Sequence, residues 1–336
     1  MKKNYFKNKK ILITGATGSI GSILVKSFLK LNCKVVRALS NDENGLYELT
    51  KDLDTKLRSN YSFRIKMKKA KIRLLHGDVR EYDRCLEATK NIDIVIHAAA
   101  MKHLPICEYN PKEALKTNIN GTKNMIRASI KSKVKKFLFI STDKVVSPTS
   151  ILGKTKLSAE KEILNANFRK KGHTIFSAVR FGNVIGSRGS VVPKFLDQIK
   201  SNLSLTVTNK NMTRYIMTIN TAANLTLKVI NNMKGGEIFV LKSMGKFRIY
   251  DLAKALLKYF KSKKKIKIIG KVEGEKLDEE LFTNKEKQKL LTSKNLYVIN
   301  YNSPKQKKIK NFQNEKTKTL NMQEIINLLK KELILK

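Results

Sequence analysis

Lys10-Ile11-Leu12-Ile13-Thr14-Gly15-Ala16-Thr17-Gly18-Ser19-Ile20-Gly21 is the stretch on which the reading of this sequence turns. Residues 10–14 are a short apolar run of strand length, and residues 19–31 set Ile20, Ile23, Leu24, Phe28 and Leu31 on one helical face. Between them the glycines fall in a GxxGxxG spacing. Gly15 permits a tight turn, Gly18 lets the backbone approach a pyrophosphate, and Gly21 allows the helix to pack closely on a sheet. The helix start then offers free N–H groups and a positive dipole end to an anion. A glycine triplet alone is a weak signal. The strand before it and the helix after it make Gly15, Thr17, Gly18, Ser19, Ile20 and Gly21 a candidate dinucleotide loop.

Working outward, short apolar runs at 34–39, 72–76, 93–97 and 137–141 alternate with helical patterns at 80–89, 112–131 and 155–169. That spacing is the rhythm of βαβ units, hence a parallel sheet covered on both faces. After about Arg180 the regularity fades, leaving an αβ pattern at 236–259 and a last helix at 322–335. The expected fold class is α/β, a Rossmann-like doubly wound parallel sheet with a smaller C-terminal substrate-binding part. Residues 1–180 are expected to form the NAD(P)-binding domain. Residues 181–336 are mostly the substrate-binding part, interleaved with the first.

Composition narrows the function classes. In 336 residues, 41% hydrophobic content excludes wholesale disorder despite a formal charge of +43. No apolar run reaches the roughly 18 residues of a membrane span, so no transmembrane segment is expected. The basic residues 1–10 before an apolar stretch imitate a signal peptide, but the glycine motif and the lack of a cleavage site make that stretch a folded strand. Only 12 of the 70 basic residues are Arg, and the lysines are spread along the chain among many Asn and Ile. This is the drift of an AT-rich genome, and no nucleic-acid partner is expected. The lysine-rich stretches 261–267 and 305–318 are both flanked by apolar residues. Cys33, Cys85 and Cys107 make neither a disulfide framework nor a metal pattern, which points to a reducing, cytoplasmic setting. His76, His97, His103 and His173 are well separated, so no metal site is expected.

Two further places carry chemistry. The second strand ends at Ser40, followed by Asn41, Asp42 and Glu43, where NAD enzymes place a carboxylate on the adenosine ribose. The missing carboxylate tilts the expectation to NADP, with NAD as the alternative. Ser141-Thr142-Asp143-Lys144 follows the apolar run 137–140 and should emerge at the C-terminal edge of the sheet. A hydroxyl, an acid and an amine in succession suffice to remove one proton and deliver another without a metal. The plain alternative is a surface Asp–Lys ion pair.

The GxxGxxG loop resembles that of the extended short-chain dehydrogenase/reductase superfamily. Several segments together resemble the polysaccharide-biosynthesis, CapD-like family of nucleotide-sugar 4,6-dehydratases. They are His97-Ala98-Ala99-Ala100-Met101-Lys102-His103-Leu104-Pro105, Ser141-Thr142-Asp143-Lys144, Arg180-Phe181-Gly182-Asn183-Val184, Gly186-Ser187-Arg188-Gly189-Ser190, Met212-Thr213-Arg214-Tyr215 and Gly274-Glu275-Lys276-Leu277. The resemblance runs from Ile11 to about Glu280. It implies a UDP-N-acetylglucosamine 4,6-dehydratase, a lyase of surface-glycan synthesis with a tightly bound NAD(P) that is regenerated in each cycle. Asp78 and Val79 would hold the adenine, and Ala98 and Ala99 would line the dinucleotide. Lys144 would take the carbon-5 proton, Asp143 would protonate the departing carbon-6 hydroxyl, and Thr142 would stand beside them.

Many superfamily members carry Tyr-x-x-x-Lys on the next helix. Here Lys156 keeps the lysine, but Leu152 stands at the tyrosine position, as an apolar residue does in the membrane-attached branch of the family. Asn183, Arg188, Arg214 and Lys276 would hold the nucleotide diphosphate and sugar, with Lys102 and Asn118 at the sugar's border. Val272-Glu273 replaces the family's Arg-Pro, and Arg180 either meets a phosphate or pairs with a carboxylate. The family also implies a homo-oligomer. The rival readings are a 4-epimerase or dehydratase/5-epimerase on the same fold, and a non-catalytic nucleotide-binding subunit, which Leu152 and Val272 favour.

Overall fold

The opening strand is β1 (Lys10–Thr14), buried in all but its first residue. The structure, a computed structural model, describes residues 5–53, 71–168, 173–242, 244–293, 295–301, 319–332 and 334. The lysine-rich stretch 305–318 lies outside the described residues. Helix α1 (Ser19–Lys30) follows the glycine loop and buries Gly21, Leu24, Val25 and Phe28. Each such large apolar side chain contributes roughly 1.5–3 kcal/mol by leaving water. Then come β2 (Val35–Ser40), α2 (Glu43–Leu53), β3 (Ile72–His76), α3 (Tyr82–Thr89) and β4 (Ile94–His97).

The helical pattern at 112–131 is not one α-helix. After α4 (Leu104–Tyr109) the chain forms α5 (Pro111–Leu115), a π-turn at Lys116–Asn120, and α6 (Gly121–Lys131). The wide turn has a cause on each side. Asn118 inside it clamps Met101, and a side chain on Gly121 would meet Val79 at 2.6 Å. Such π insertions concentrate at functional sites.

Next are β5 (Lys136–Thr142), a 3₁₀ turn at Asp143–Val145, α7 (Ile151–Phe168), which begins four residues before the sequence pattern suggests, and β6 (Ile175–Phe181). Beyond it run β7 (Asn183–Val184), α8 (Val191–Lys200), β8 (Leu205–Val207), β9 (Thr213–Met217), α9 (Ile219–Asn232), β10 (Glu237–Leu241), β11 (Gly245–Arg248), α10 (Ile249–Tyr259), β12 (Ile266–Ile268), α11 (Asn284–Lys287), β13 (Leu290–Ser293), β14 (Leu296–Asn300) and α12 (Met322–Lys331).

A nine-stranded sheet has the order β13-β14-β10-β6-β5-β4-β1-β2-β3. All pairings from β3 across to β10 are parallel, and β14 and β13 add an antiparallel edge. The order 3-2-1-4-5-6 is that of the doubly wound dinucleotide fold, so the expected fold class holds. Helix α1 packs with α9, while α3, α6 and α7 pack in series. Two small sheets, β11-β9-β7 and β12-β8, belong to the later part of the chain. A second core of Val192, Phe195, Val207, Phe247, Leu252 and Leu329 gathers α8, α10 and α12.

Arg180 ties these parts together. It is 2% exposed and binds Glu160 of α7 at 2.7 and 3.1 Å and Glu286 of α11 at 2.5 and 3.1 Å. Its carboxylate partners, which outweigh the desolvation of burial, hold its pKa above the ordinary guanidinium value. Arg180 is thus a carboxylate-paired strut rather than a phosphate contact.

Candidate active site

Two clefts flank the sheet, and the larger opens at its C-terminal edge where the order reverses between β1 and β4. The larger, about 860 Å³, is built on the glycine loop. Gly15 has φ +62°, and a Cβ there would meet the Ala99 nitrogen at 2.7 Å; one on Gly21 would meet the Gly15 carbonyl at 2.1 Å. These contacts press the loop between β4 and α1. Gly18 caps α1 with no side-chain hydrogen bond, leaving the first-turn N–H groups without a side-chain acceptor. Thr17, Ser19, Ile20, Ser40, Asp78, Val79, Ala98 and Ala99 all line this cleft.

The walls are set by buried polar contacts. His97 is fully buried between Thr14 (2.7 Å) and Thr122 (3.0 Å), and burial pushes its pKa down to about 3. Thr14 also accepts the Ala99 N–H at 3.2 Å, fixing the 97–101 turn. The Ser40 hydroxyl meets that of Thr17 at 2.8 Å and accepts the Asp42 N–H at 3.2 Å. Asp78 accepts from Asn41 and from the Arg80 backbone and guanidinium. Despite its partial desolvation, the Arg80 contacts keep Asp78 below the usual carboxylate range.

The lining of the second cleft, about 430 Å³, includes Lys144, Asn183, Arg214, Lys276 and Glu279. Val207, Met212, Ile216, Phe247 and Ile249 supply an apolar wall of the same cleft. Lys144 lines both clefts. Its ammonium donates to Asp143 Oδ1 and Asn183 Oδ1, each at 3.0 Å, and lies 3.5 Å from Glu279. Desolvation would lower its pKa, but the charges of Asp143 and Glu279 prevail and raise it. Thr142 donates to the same Asp143 oxygen at 2.9 Å.

Lys156 is the opposite case. It is 6% exposed, donates to the Ile140 carbonyl at 2.7 Å and sits 4.0 Å above the Phe139 ring. Burial lowers its pKa to about 7, with Glu160 opposing. Leu152 is packed near Cys107 and Ala114 while lining the larger cleft.

The six residues expected at the substrate do not converge. Asn183, Arg214 and Lys276 line the second cleft. Lys102 and Arg188 line the larger one instead. There Arg188 binds the Thr17 carbonyl with its guanidinium and Ser19 Oγ with its backbone N–H at 3.0 Å, and Lys102 donates to the Arg188 carbonyl at 2.5 Å. Asn118 lines neither, because its amide is taken up by the Met101 backbone at 2.8 and 3.2 Å and by Thr155 at 3.0 Å.

Sequence reasoning missed Glu279, Glu275 against Arg214 at 3.6 Å, and the apolar wall. The acidic run Asp278-Glu279-Glu280 just beyond Gly274-Glu275-Lys276 was the available signal for the first.

Fold and clefts together define an extended short-chain dehydrogenase/reductase architecture. The model of the family described as "Polysaccharide biosynthesis protein" matches residues 11–301, and the chain belongs to that family. It is 44% identical over 337 residues to an uncharacterized membrane protein of Methanocaldococcus jannaschii, covering 97% of each chain. It is 38% identical over 342 residues to a UDP-glucose 4-epimerase of Rickettsia bellii, covering 96% of each. Among solved structures, Pen from Bacillus thuringiensis superposes with TM-score 0.89 at 40% identity, covering 99% of this chain and 100% of that one. DesIV, a dTDP-glucose 4,6-dehydratase from Streptomyces venezuelae solved with NAD and TYD bound, shares the fold at TM-score 0.70 and 18% identity, covering 83% of this chain and 89% of that one. No helix among the described residues is long and apolar enough to cross a membrane.

Proposed function

We propose that this chain is a nucleotide-sugar 4,6-dehydratase acting on UDP-N-acetylglucosamine in surface-polysaccharide synthesis. The observation that carries the reading is Lys144, which stands where the two clefts meet with two carboxylates around its amine. The glycine loop, with Ser40, Asp78, Val79, Ala98, Ala99 and Lys156, fits a nicotinamide dinucleotide, and the uncapped start of α1 suits its pyrophosphate. Ser40 in place of a carboxylate supports NADP over NAD. Bound there, the nicotinamide supplies reversible hydride transfer with the sugar.

The chain's own groups handle the protons. Lys144, as a free amine, takes the proton from a carbon 5 made acidic by a carbonyl at carbon 4. A carboxyl group beside it protonates the departing carbon-6 hydroxyl, and water leaves. Asn183, Arg214 and Lys276 hold the diphosphate and sugar, Arg214 through its planar fork. Arg188 and Lys102 close the larger cleft from its rim.

The decisive test is a mass spectrum after incubation with NADP and UDP-N-acetylglucosamine in heavy water. The expected product is lighter by one water and carries deuterium at carbon 5. Unchanged sugar would count against the reading. The relatives named UDP-glucose 4-epimerase favour a second reading, in which UDP-glucose and UDP-galactose interconvert without loss of water. Leu152 weighs against it, because leucine has no proton to exchange with the carbon-4 hydroxyl.

A further inference from the structure

The lysine-rich stretch 261–267 lines neither cleft. It belongs to a longer run, residues 254–271, that holds eight lysines and no acid. Helix α10 turns its apolar face to the second core, burying Leu252, Ala253, Ala255 and Leu256. Lys254 and Lys258, one turn apart, are left on the exposed face. The helix ends where Lys261 takes φ +50° and the Ser262 N–H closes on the Leu257 carbonyl at 2.9 Å. Beyond it Lys261, Lys263, Lys265 and Lys267 are exposed, while Ser262, Lys264 and Ile266 between them are half-buried. Strand β12 then pairs in parallel with β8, and the Leu205 N–H donates to the Lys265 carbonyl at 3.1 Å. The turn 201–204 after α8 and the turn 261–265 after α10 therefore lie side by side.

Two apolar side chains stand open among these lysines. Phe260, at the end of α10, is 43% exposed, and Leu203, in the neighbouring turn, is 56% exposed. Lys200 closes α8. The Lys330 ammonium lies 5.2 Å over the Tyr259 ring, which brings the end of α12, with Lys331, to the same place. The acids nearest in the chain on α8 and α12, Asp197 and Glu332, are outnumbered by lysine. None of the lysines named here pairs with a carboxylate among the described residues. A solvated lysine face needs no explanation by itself. Here unshielded ammonium groups surround an exposed Phe and Leu, so the two requirements of interfacial binding coincide: attraction to anionic headgroups, and apolar groups to enter beneath them.

We propose that the ends of α8, α10 and α12, with the turns 201–204 and 260–265, form a face that docks on an anionic lipid bilayer. Phe260 and Leu203 enter the headgroup boundary, and the lysines neutralise lipid phosphates around them. A nucleic acid suits the face less well. No arginine follows Arg248 in the chain, and lysines supply point charges without the planar fork that reads bases. The face is also separate from the site. Val207, at the far end of the paired strands, lines the second cleft, whereas Leu203, Phe260 and the lysines around them line neither.

The test is sedimentation of the full chain, at about 0.1 M salt, with vesicles of phosphatidylcholine alone or with about one third phosphatidylglycerol. Wild type should pellet with the anionic vesicles and not with the neutral ones. The triple variant Lys258→Gln, Lys261→Gln, Lys263→Gln should bind about 100-fold more weakly, roughly fivefold per lysine. Phe260→Ser, which changes no charge, should weaken binding by about fivefold or more. Lys30→Gln, Lys34→Gln and Lys90→Gln together remove the same charge at exposed positions beside β2 and β4, and should leave binding within about twofold. Melting temperature checks folding in each variant. Wild type that ignores the anionic vesicles, or binds the neutral ones equally, overturns the proposal. So does equal loss in the two triple variants, which would reduce the effect to net charge. Phe260→Ser binding at wild-type strength overturns it as well, and tight binding of poly-U RNA by the same lysines would then make a nucleic acid the occupant. None of these outcomes touches water loss from the sugar, so the dehydratase reading stands or falls separately.

Discussion

The glycine-loop cleft holds a buried lysine, Lys156, and the second cleft a half-buried one, Lys144, and the two amines live under opposite electrostatics. Lys156 sits over an aromatic ring with a backbone carbonyl as its acceptor, and burial drives its pKa down to about 7. Lys144 sits among Asp143, Glu279 and Asn183, and despite desolvation the acids hold its pKa up. One cleft therefore keeps its amine close to release of the proton, while the other keeps it charged until a ligand or a proton alters its carboxylates. The physical lesson is that burial alone does not set a lysine's state; what accepts its hydrogen bonds does.

The sharpest way to break this comparison is to remove Lys144, the charged residue among those the clefts share. Lys144→Met should lower water loss from UDP-N-acetylglucosamine by about 10³-fold, the range of a lost acid–base group. Dinucleotide binding, measured by calorimetry, should survive. Parallel loss of both would mean that the clefts are one site rather than two meeting at Lys144.

Arg180→Leu comes next. It leaves Glu160 and Glu286 buried without their cation, which should cost about 3–5 kcal/mol in urea unfolding. Arg180 also donates to the Leu281 carbonyl at 3.2 Å, two residues from Glu279. The second cleft should therefore lose substrate affinity before the glycine loop loses dinucleotide. Gly21→Ala tests the other side. Its methyl would press on the Gly15 carbonyl, and overpacking of about 1–3 kcal/mol should appear as about 10- to 100-fold weaker dinucleotide binding, with little change in UDP affinity.

The same division governs how much could be read in advance. The glycine-loop cleft is made of short contiguous motifs at strand ends, so β-periodicity and glycine spacing pointed directly to Gly15 through Gly21, while Asp78, Val79, Ala98 and Ala99 came from what the family resemblance implies. The second cleft is assembled from β5, β7, β9 and the 274–280 segment, which meet only through long-range packing. Asn183, Arg214 and Lys276 were found there because they fall in motifs that resemble the family. Glu279 was not, since nothing local distinguishes it from Asp278 and Glu280, which turn to other partners. Arg188 was located by motif and Asn118 was expected at the border of the sugar, but neither was located by direction. A loop closing over Thr17 and a π-turn clamping Met101 decide where those side chains go, and neither has a periodicity to read.

The gentlest test of the comparison uses pH. The folded pKa of Lys156, about 7, lies below the roughly 10.4 of an unfolded lysine. Between those values the unfolded chain carries a proton that the folded chain has released. Unfolding free energy therefore rises with pH there, by at most about 1.4 kcal/mol per pH unit from this group. Below about pH 7 both states are protonated, and the cost of a buried ammonium is present in full. Lys156→Met removes that cost, so urea unfolding should find the variant more stable than wild type near pH 6, with the gap narrowing towards pH 9. Lys144 runs the other way. Its raised pKa gives stability that is present below the unfolded value and lost only as pH climbs through the folded one, so Lys144→Met should lose stability across the same range. If both variants moved in the same direction, the two amines would share one environment, and the division between the clefts would rest on shape alone.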